Sequence, residues 1–221
     1  MKNLRSLSCV AFVGCLTALT FGAAAPGEPS ATYEVTVTNL TRNQVFSPLL
    51  AATHRAPGAM FTPGLPASDE LALLAEEGDN SALMTALLRR GDIGDIQSGE
   101  GGILPGHSDT LTLTTFGSNR VLSLASMLVN TNDAFVGLES VRLPKRSSSQ
   151  FAIAFDAGSE FNSESCAYVP GPACGSSMAH DPRDAEGSVY VSNGIHGIGD
   201  LPSDSYDWRN PVAYVTIRRV Q

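Results

Sequence analysis

Residues 32–38 have the sequence TYEVTVT, and this stretch decides the fold class. Tyr33, Val35 and Val37 alternate with polar residues, which is the pattern of a strand with one buried and one solvated face. Further runs of strand-forming residues lie at 110–114, 121–129, 135–141, 151–155, 188–192 and 212–219, so we expect seven or eight strands in total. Because helices do not alternate with these strands, the sequence favours a mainly β, antiparallel β-sandwich over a parallel sheet.

A short helical insertion is expected between the first strand and the later ones. Ser68 is a suitable N-cap for one helix, acidic residues follow it in the first turn, and Gly78 ends that helix. A second helix is predicted to start after a cap at Asp79 or Asn80 and to end before Gly91. The flanking segments 41–66 and 94–106 are predicted to be loops, because proline and glycine punctuate them.

The first 25 residues have the organisation of a secretory signal peptide, with cationic residues, an apolar run at about 10–21 and three alanines before Pro26. The apolar run is too short to span ~30 Å of hydrocarbon, so no transmembrane segment is expected. Cleavage near residue 25 leaves a flexible leader at 26–31 and one domain at 32–221, in a protein that is secreted or periplasmic. A lipoprotein anchored at Cys15 is the alternative.

The chain is acidic, with 22 Asp and Glu against 14 Lys and Arg and a net charge of −8 over 221 residues. This charge repels phosphate backbones, and the sequence has no stripe of cationic residues with interleaved aromatic residues. We therefore exclude nucleic acid as a partner. An acidic surface favours cations instead.

Two of the four cysteines remain after removal of the signal peptide. Cys166 and Cys174 lie in a segment rich in proline and glycine, and in an exported protein the default prediction for such a pair is a disulfide. A metal site is the other interpretation, with His180 as the nearby candidate ligand.

The C-terminal segments NGIHGIGDL at 193–201 and YDWRNPVA at 206–213 are similar to the closing signature of the spondin domain family. The segment 33–41 resembles the first strand of that family, and shorter matches lie at 46–48, 133–137 and 156–160. The resemblance covers roughly residues 32–220. It implies a β-sandwich related in shape to C2 domains, a calcium ion bound by loops at one edge, and roles in matrix or cell-surface attachment for the animal members.

Acidic residues in two loops next to predicted strands are candidate calcium ligands, since Ca²⁺ takes six to eight oxygen ligands and carboxylates are its usual partners. The resemblance assigns this role to Asp133, Asp156 and Glu160. The third position holds Glu where the animal members carry Asp, so the coordination geometry is expected to differ. The alternative is that these acids are solvated turn residues.

The sequence contains no HExxH zinc motif, no G-x-S-x-G turn and no P-loop, so we expect no enzyme activity. His196 is interpreted as a packed loop histidine and Trp208 as a core residue. The predicted function is an exported, calcium-binding and non-catalytic module for binding or adhesion, whose partner is an extracellular glycan, a matrix polymer or a surface protein. A hydrolase with an unrecognised site and a structural envelope protein are the alternatives.

Overall fold

A computed structural model of the protein describes residues 29–55, 57–175 and 179–221. The predicted signal peptide, residues 1–25, lies outside these ranges. Within them the chain forms nine strands and three helices. The strands are β1 Pro29–Asn39, β2 Leu50–His54, β3 Ile93–Ser98, β4 Ser108–Phe116, β5 Val121–Met127, β6 Ala134–Arg142, β7 Ser147–Asp156, β8 Tyr190–Val191 and β9 Ala213–Arg219. The helices are α1 Asp69–Glu77, α2 Ser81–Leu88 and α3 Ser203–Tyr206.

All strand pairs are antiparallel, in the order β3-β2-β5-β6-β7-β9-β1-β4, with β8 added beside β7. Strand β7 joins the two halves of the sheet, because residues 147–152 pair with β9 whereas residues 153–156 pair with β6. A strand that changes partners in this way turns a corner, so the two halves face each other. The predicted mainly β, antiparallel sandwich-like fold is confirmed.

Side chains connect the two edge strands β3 and β4 and nearly close the sheet. Asp95 Oδ2 accepts hydrogen bonds from the Thr114 backbone N–H at 2.7 Å and from Thr114 Oγ1 at 2.9 Å. Thr53 Oγ1 on β2 donates to the Thr114 carbonyl at 2.6 Å. These contacts satisfy part of the open edges, which otherwise invite pairing with another chain.

Two apolar clusters pack on the two faces of the β2-β5-β6 half of the sheet. The inner cluster fills the space between the sheet halves and includes Val35, Leu113, Leu124, Val136 and Ile217. The outer cluster packs the helices on the sheet and includes Leu71, Leu74 and Leu87 of the helices together with Leu50 and Phe135 of the strands. Each large apolar side chain that becomes fully buried contributes about 1.5–3 kcal/mol to the folded state, so both clusters anchor their elements.

Both predicted helices are confirmed, the first with its predicted cap, whereas the Asn80 side chain makes no capping hydrogen bond at the start of the second. The Ser68 hydroxyl accepts a hydrogen bond from the Leu71 backbone N–H at 3.2 Å at the start of α1. Gly78 ends α1 with a positive φ of 71°, a backbone conformation that glycine adopts without strain. Helix α2 starts after Asn80 and ends at Leu88, as expected.

The prediction of loops over 41–66 and 94–106 is wrong where β2 and β3 form. All five residues of β2 are buried, so its sequence LAATH shows no alternation of apolar and polar residues. Strand β3, IGDIQS, contains a glycine and an aspartate that strands usually avoid. Asp95 is nevertheless accommodated there, since it bonds Thr114 of the other edge strand.

The predicted disulfide joins Cys166 and Cys174. Trp208 is 8% exposed and belongs to the inner cluster, which confirms its interpretation as a core residue. No helix among the described residues is long and apolar enough to cross a membrane.

Candidate functional site

The register of β6 with β7 brings Asp133 and Asp156 to the same end of the sheet. Asp133 immediately precedes β6, Asp156 ends β7, and Ala134 pairs with Asp156 across the two strands. The Ala157 backbone N–H also donates to the Asp133 carbonyl at 3.1 Å. The two aspartates are 0% and 1% exposed, respectively, so two carboxylates are buried side by side.

Asp133 has one satisfied and one unsatisfied carboxylate oxygen. Oδ2 accepts hydrogen bonds from the backbone N–H groups of Ser159 at 2.8 Å and Glu160 at 3.0 Å. Oδ1 is buried and has no hydrogen-bond partner among the described residues. Burial raises the pKa of Asp133 well above its usual value, and the nearby Asp156 charge raises it further. A buried carboxylate with an unpartnered oxygen is stabilised when it binds a proton or a cation.

Asp156 is held by its own loop. Its Oδ1 accepts a hydrogen bond from the Gly158 backbone N–H at 2.9 Å, and its Oδ2 accepts one from Asn162 Nδ2 at 2.8 Å. Burial raises the pKa of Asp156 to about 6, although both of these hydrogen bonds favour the ionised form. The carboxylate is therefore fixed in position by donors that do not fully offset the loss of water.

Gly158 allows this loop to turn tightly. Its φ is +65°, and a Cβ at this position would collide with the backbone of Ser188. An L-residue is strained at such a φ, so both the conformation and the space require glycine.

A cleft of about 140 Å³ opens outward from Asp156. Asn162 Nδ2 donates to Glu186 Oε1 and to the Tyr190 hydroxyl, both at 3.1 Å, and these three residues line the cleft. Burial, followed by the charges of Asp156 and Glu186, raises the pKa of Tyr190. The negative potential of the buried carboxylates thus continues along the cleft.

The carboxylate of Glu160 points to a different set of partners. Its Oε1 accepts a hydrogen bond from the Asp181 backbone N–H at 2.6 Å. It belongs to a second group of side chains that could hold a cation, together with Glu76 and His180. One ligand atom from each of the three lies within 4.8 Å of the others. Burial raises the pKa of Glu160 to about 7, against the hydrogen bond from Asp181, and the Glu76 charge adds to the rise.

The structure thus brings together Asp133 and Asp156 but places the third predicted ligand in an adjoining cluster. Glu160 remains connected to the pair through its backbone N–H, which donates to Asp133. Sequence reasoning missed Glu76, because it lies on α1, far from the acidic loops along the chain. Only the packing of α1 against the sheet places it beside them.

Glu164, a second residue that sequence reasoning missed, organises the segment 193–201. Its carboxylate accepts hydrogen bonds from the backbone N–H groups of His196 and Ile198, the latter at 2.8 Å. Asp207 Oδ1 accepts another from Ile195 at 3.1 Å. The His196 side chain is 58% exposed, so the prediction of a packed histidine is wrong for the ring although its backbone is held.

A histidine and a serine also contact each other inside the domain. His54 Nε2 lies 2.7 Å from Ser123 Oγ, and both residues are fully buried. The Ser123 hydroxyl also accepts a hydrogen bond from the Ser140 backbone N–H at 2.9 Å. Because a nucleophile must reach its substrate, this buried pair gives no support to the hydrolase alternative.

The chain matches a protein-family model. A family model described as Spondin_N matches residues 35–194, which extend from β1 to the loop after β8. This range contains both buried aspartates and Glu160, whereas most of the segment 193–213 lies beyond it. No curated protein matches the chain.

Proposed function

The chain belongs to the spondin N-terminal domain family of extracellular modules, and on this premise we propose that it is a non-catalytic binding module that holds calcium at Asp133 and Asp156.

The main support for a metal site is that Oδ1 of Asp133 has no hydrogen-bond partner among the described residues. This oxygen is fully buried beside a second carboxylate, and no described donor reaches it. Leaving such an oxygen without a partner costs about 1–3 kcal/mol or more. A calcium ion neutralises the facing charges and prefers carboxylate oxygens, so the residues fit this ion.

Asp133 and Asp156 are the proposed direct ligands. Asn162 and Glu186 line the cleft through which the ion reaches Asp156, and they offer further oxygens. Glu160 supports Asp133 through its backbone N–H, and its role as a direct ligand stays a prediction, because its carboxylate accepts the Asp181 N–H instead.

Bound calcium supplies positive charge that joins the loop before β6 to the loop after β7. Both loops then keep one conformation, which lowers the entropy lost when a partner binds to them. With calcium at ten times its dissociation constant, the ion stabilises the folded state by roughly 1.4 kcal/mol. Extracellular modules commonly bind calcium with dissociation constants of ~10⁻⁴ to 10⁻³ M, which sets the range of calcium concentration for a titration.

The test combines calorimetric titration of calcium with thermal melting of the purified protein. We expect a saturable heat and a rise in Tm for the wild type, and neither for Asp156→Asn. Asp204→Asn, which removes an equal charge from an exposed position, serves as the control and should behave as the wild type does. Equal calcium responses in Asp156→Asn and in the wild type would remove the metal site from this position.

A further inference from the structure

Cationic side chains gather at the end of the sheet opposite the buried aspartates. Twelve of the 14 lysines and arginines lie within the described residues, and half of these twelve are at this end. The six are Arg120, Arg142, Lys145, Arg146, Arg218 and Arg219. They come from the ends of β6 and β9, the turn before β7 and the residue before β5. We call this set the basic end.

The basic end surrounds a cleft of about 490 Å³. Its rim carries Arg120, Arg142, Lys145 and Arg219, and its floor is formed by Ala31, Tyr33, Leu143 and Pro144. A second depression of about 460 Å³ shares Lys145 and Arg219 with the cleft and adds Arg146 and Arg218. No acidic residue lines either depression, so the positive surface is continuous.

Most of these charges are not neutralised within the described part of the chain. Arg218 pairs with Glu34. Arg120 Nη1 donates to the Asn119 carbonyl at 2.8 Å, which leaves its charge uncompensated. Arg142, Lys145 and Arg146 form no ion pair with a described carboxylate, and all three are exposed. In a protein with a net charge of −8, such a concentration of cations creates a local field that attracts anions.

We propose that the basic end binds an acidic polysaccharide through its sulfate, phosphate or carboxylate groups. The inference rests on the proposed role as an extracellular binding module and adds the chemical class of the partner. Guanidinium groups bind such oxyanions with two parallel hydrogen bonds, and the three arginines around the cleft, together with Lys145, can engage successive charged groups along a polymer. An apolar floor suits the C–H faces of sugar rings.

The lining of the cleft disfavours the other polyanions. Single-stranded nucleic acid requires exposed aromatic rings on which bases stack, but the one aromatic residue of the cleft, Tyr33, is 6% exposed and donates its hydroxyl hydrogen to the Pro144 carbonyl at 3.2 Å. Firm attachment to a membrane surface combines cationic side chains with apolar side chains that protrude into the lipid. The apolar residues of the cleft floor are buried or half-buried and do not protrude.

Binding at the basic end does not use the calcium site. Strand β6 has nine residues and separates Asp133 from Arg142, and at ~3.4 Å per residue the two ends are roughly 27–30 Å apart. This distance exceeds the screening length of about 8 Å at physiological ionic strength. Polysaccharide binding is therefore expected to persist in a chelator.

The test measures binding of the purified protein to immobilised heparin, a sulfated polysaccharide, by surface plasmon resonance with calcium and with chelator. We expect the charge reversal Arg142→Glu with Lys145→Glu to weaken heparin binding tenfold or more. The control Arg42→Glu with Arg89→Glu changes the net charge equally at exposed positions elsewhere and should weaken it less than threefold. The neutral pair Arg142→Gln with Lys145→Gln should lie between wild type and charge reversal, and circular dichroism checks that each variant is folded.

Raising salt from about 50 to about 200 mM should weaken heparin binding on the order of tenfold to a hundredfold, as expected for three or four ionic contacts. Equal losses in the two charge-reversed pairs, or equal binding to neutral dextran, would overturn the proposal. So would tighter binding to phosphatidylglycerol vesicles or to an oligonucleotide. Calcium binding without heparin binding removes this inference alone, whereas heparin binding without a calcium response removes the metal site alone.

Discussion

The two ends of the β6–β7 hairpin use charge in opposite ways. At the end where β6 begins, Asp133 and Asp156 are buried, close together and held by backbone donors. At the end where β6 finishes, Arg142 and the other cations are exposed and spread around an open cleft. Buried charges interact strongly over short distances, whereas exposed charges act weakly at each contact and are screened by salt. The acidic end should therefore govern stability, and the basic end should govern encounter with a partner.

The largest expected effect is the loss of the Asp133 side chain. Asp133→Ala leaves the backbone N–H groups of Ser159 and Glu160 without their acceptor, since both donate to Oδ2. Each buried unsatisfied donor costs about 1–3 kcal/mol, so we expect the free energy of unfolding to fall by about 2–6 kcal/mol in urea titration.

Asp133→Asn is the matched variant, because its amide oxygen can still accept these bonds. It should be at least as stable as the wild type in chelator and should show no rise in Tm with calcium. If Asp133→Asn were as unstable as Asp133→Ala, the negative charge itself would stabilise the metal-free fold. This result would contradict the view that the buried charge of Asp133 is unfavourable without a cation.

Gly158→Ala should give the next largest effect. The positive φ and the proximity of Ser188 both oppose a Cβ there, and the conformation alone costs an L-residue about 1–2 kcal/mol. We expect a lower Tm and weaker calcium binding, because the Gly158 N–H positions Asp156. Gly101→Ala is the control, since nothing lies within 4 Å of a Cβ at that glycine. A normal calcium affinity in Gly158→Ala would show that the site tolerates movement of this loop.

The pH dependence of stability should change sign when calcium is added. Burial raises the pKa of Asp156 from 3.8 to about 6, and the pKa of Asp133 moves in the same direction. Between pH 4 and pH 6, approximately, these two groups hold more protons in the metal-free folded protein than in the unfolded chain, so their contribution to its stability falls as the pH rises through this window. The expected loss is on the order of 1–3 kcal/mol.

Calcium competes with these protons, so its affinity increases as the pH rises through about 6. Thermal melting between about pH 4.5 and about pH 7, in calcium-free buffer and with calcium, measures both trends. The same pH profile under both conditions would contradict the assignment of the two aspartates to the metal.

Features set by neighbouring residues could be predicted from the sequence. The alternation around Val35, the cap at Ser68, the stop at Gly78 and the pairing of Cys166 with Cys174 all depend on short stretches of chain, and all are confirmed. Strands β2 and β3 were missed, because β2 is buried on both faces and therefore lacks alternation. Strand β3 was missed because it contains Asp95, a residue type that strands usually avoid. Asp95 is favourable there only because it accepts a hydrogen bond from Thr114 of another strand, which the local sequence does not reveal.

The two ends of the hairpin differ in how far the sequence could predict them. The adjacency of Asp133 and Asp156 was implied by the family resemblance, whereas composition gave only an acidic surface. The link between Glu160 and Glu76 depends on packing of α1. The basic end combines three separate segments of the chain, at 120, 142–146 and 218–219, so no window of sequence contains it. The net charge of −8 also gives no indication of a cationic surface.

The smallest expected effect on stability comes from neutralising the basic end. Arg142 and Lys145 are exposed and make no ion pair with a described carboxylate, so Arg142→Gln with Lys145→Gln should change the free energy of unfolding by less than about 0.5 kcal/mol. Urea titration measures this change, with Arg42→Gln and Arg89→Gln as the matched pair. A small gain is consistent with relief of repulsion among the remaining cations. A loss of more than about 1 kcal/mol would mean that these side chains support the fold, and the basic end would then not be a surface kept free for a ligand.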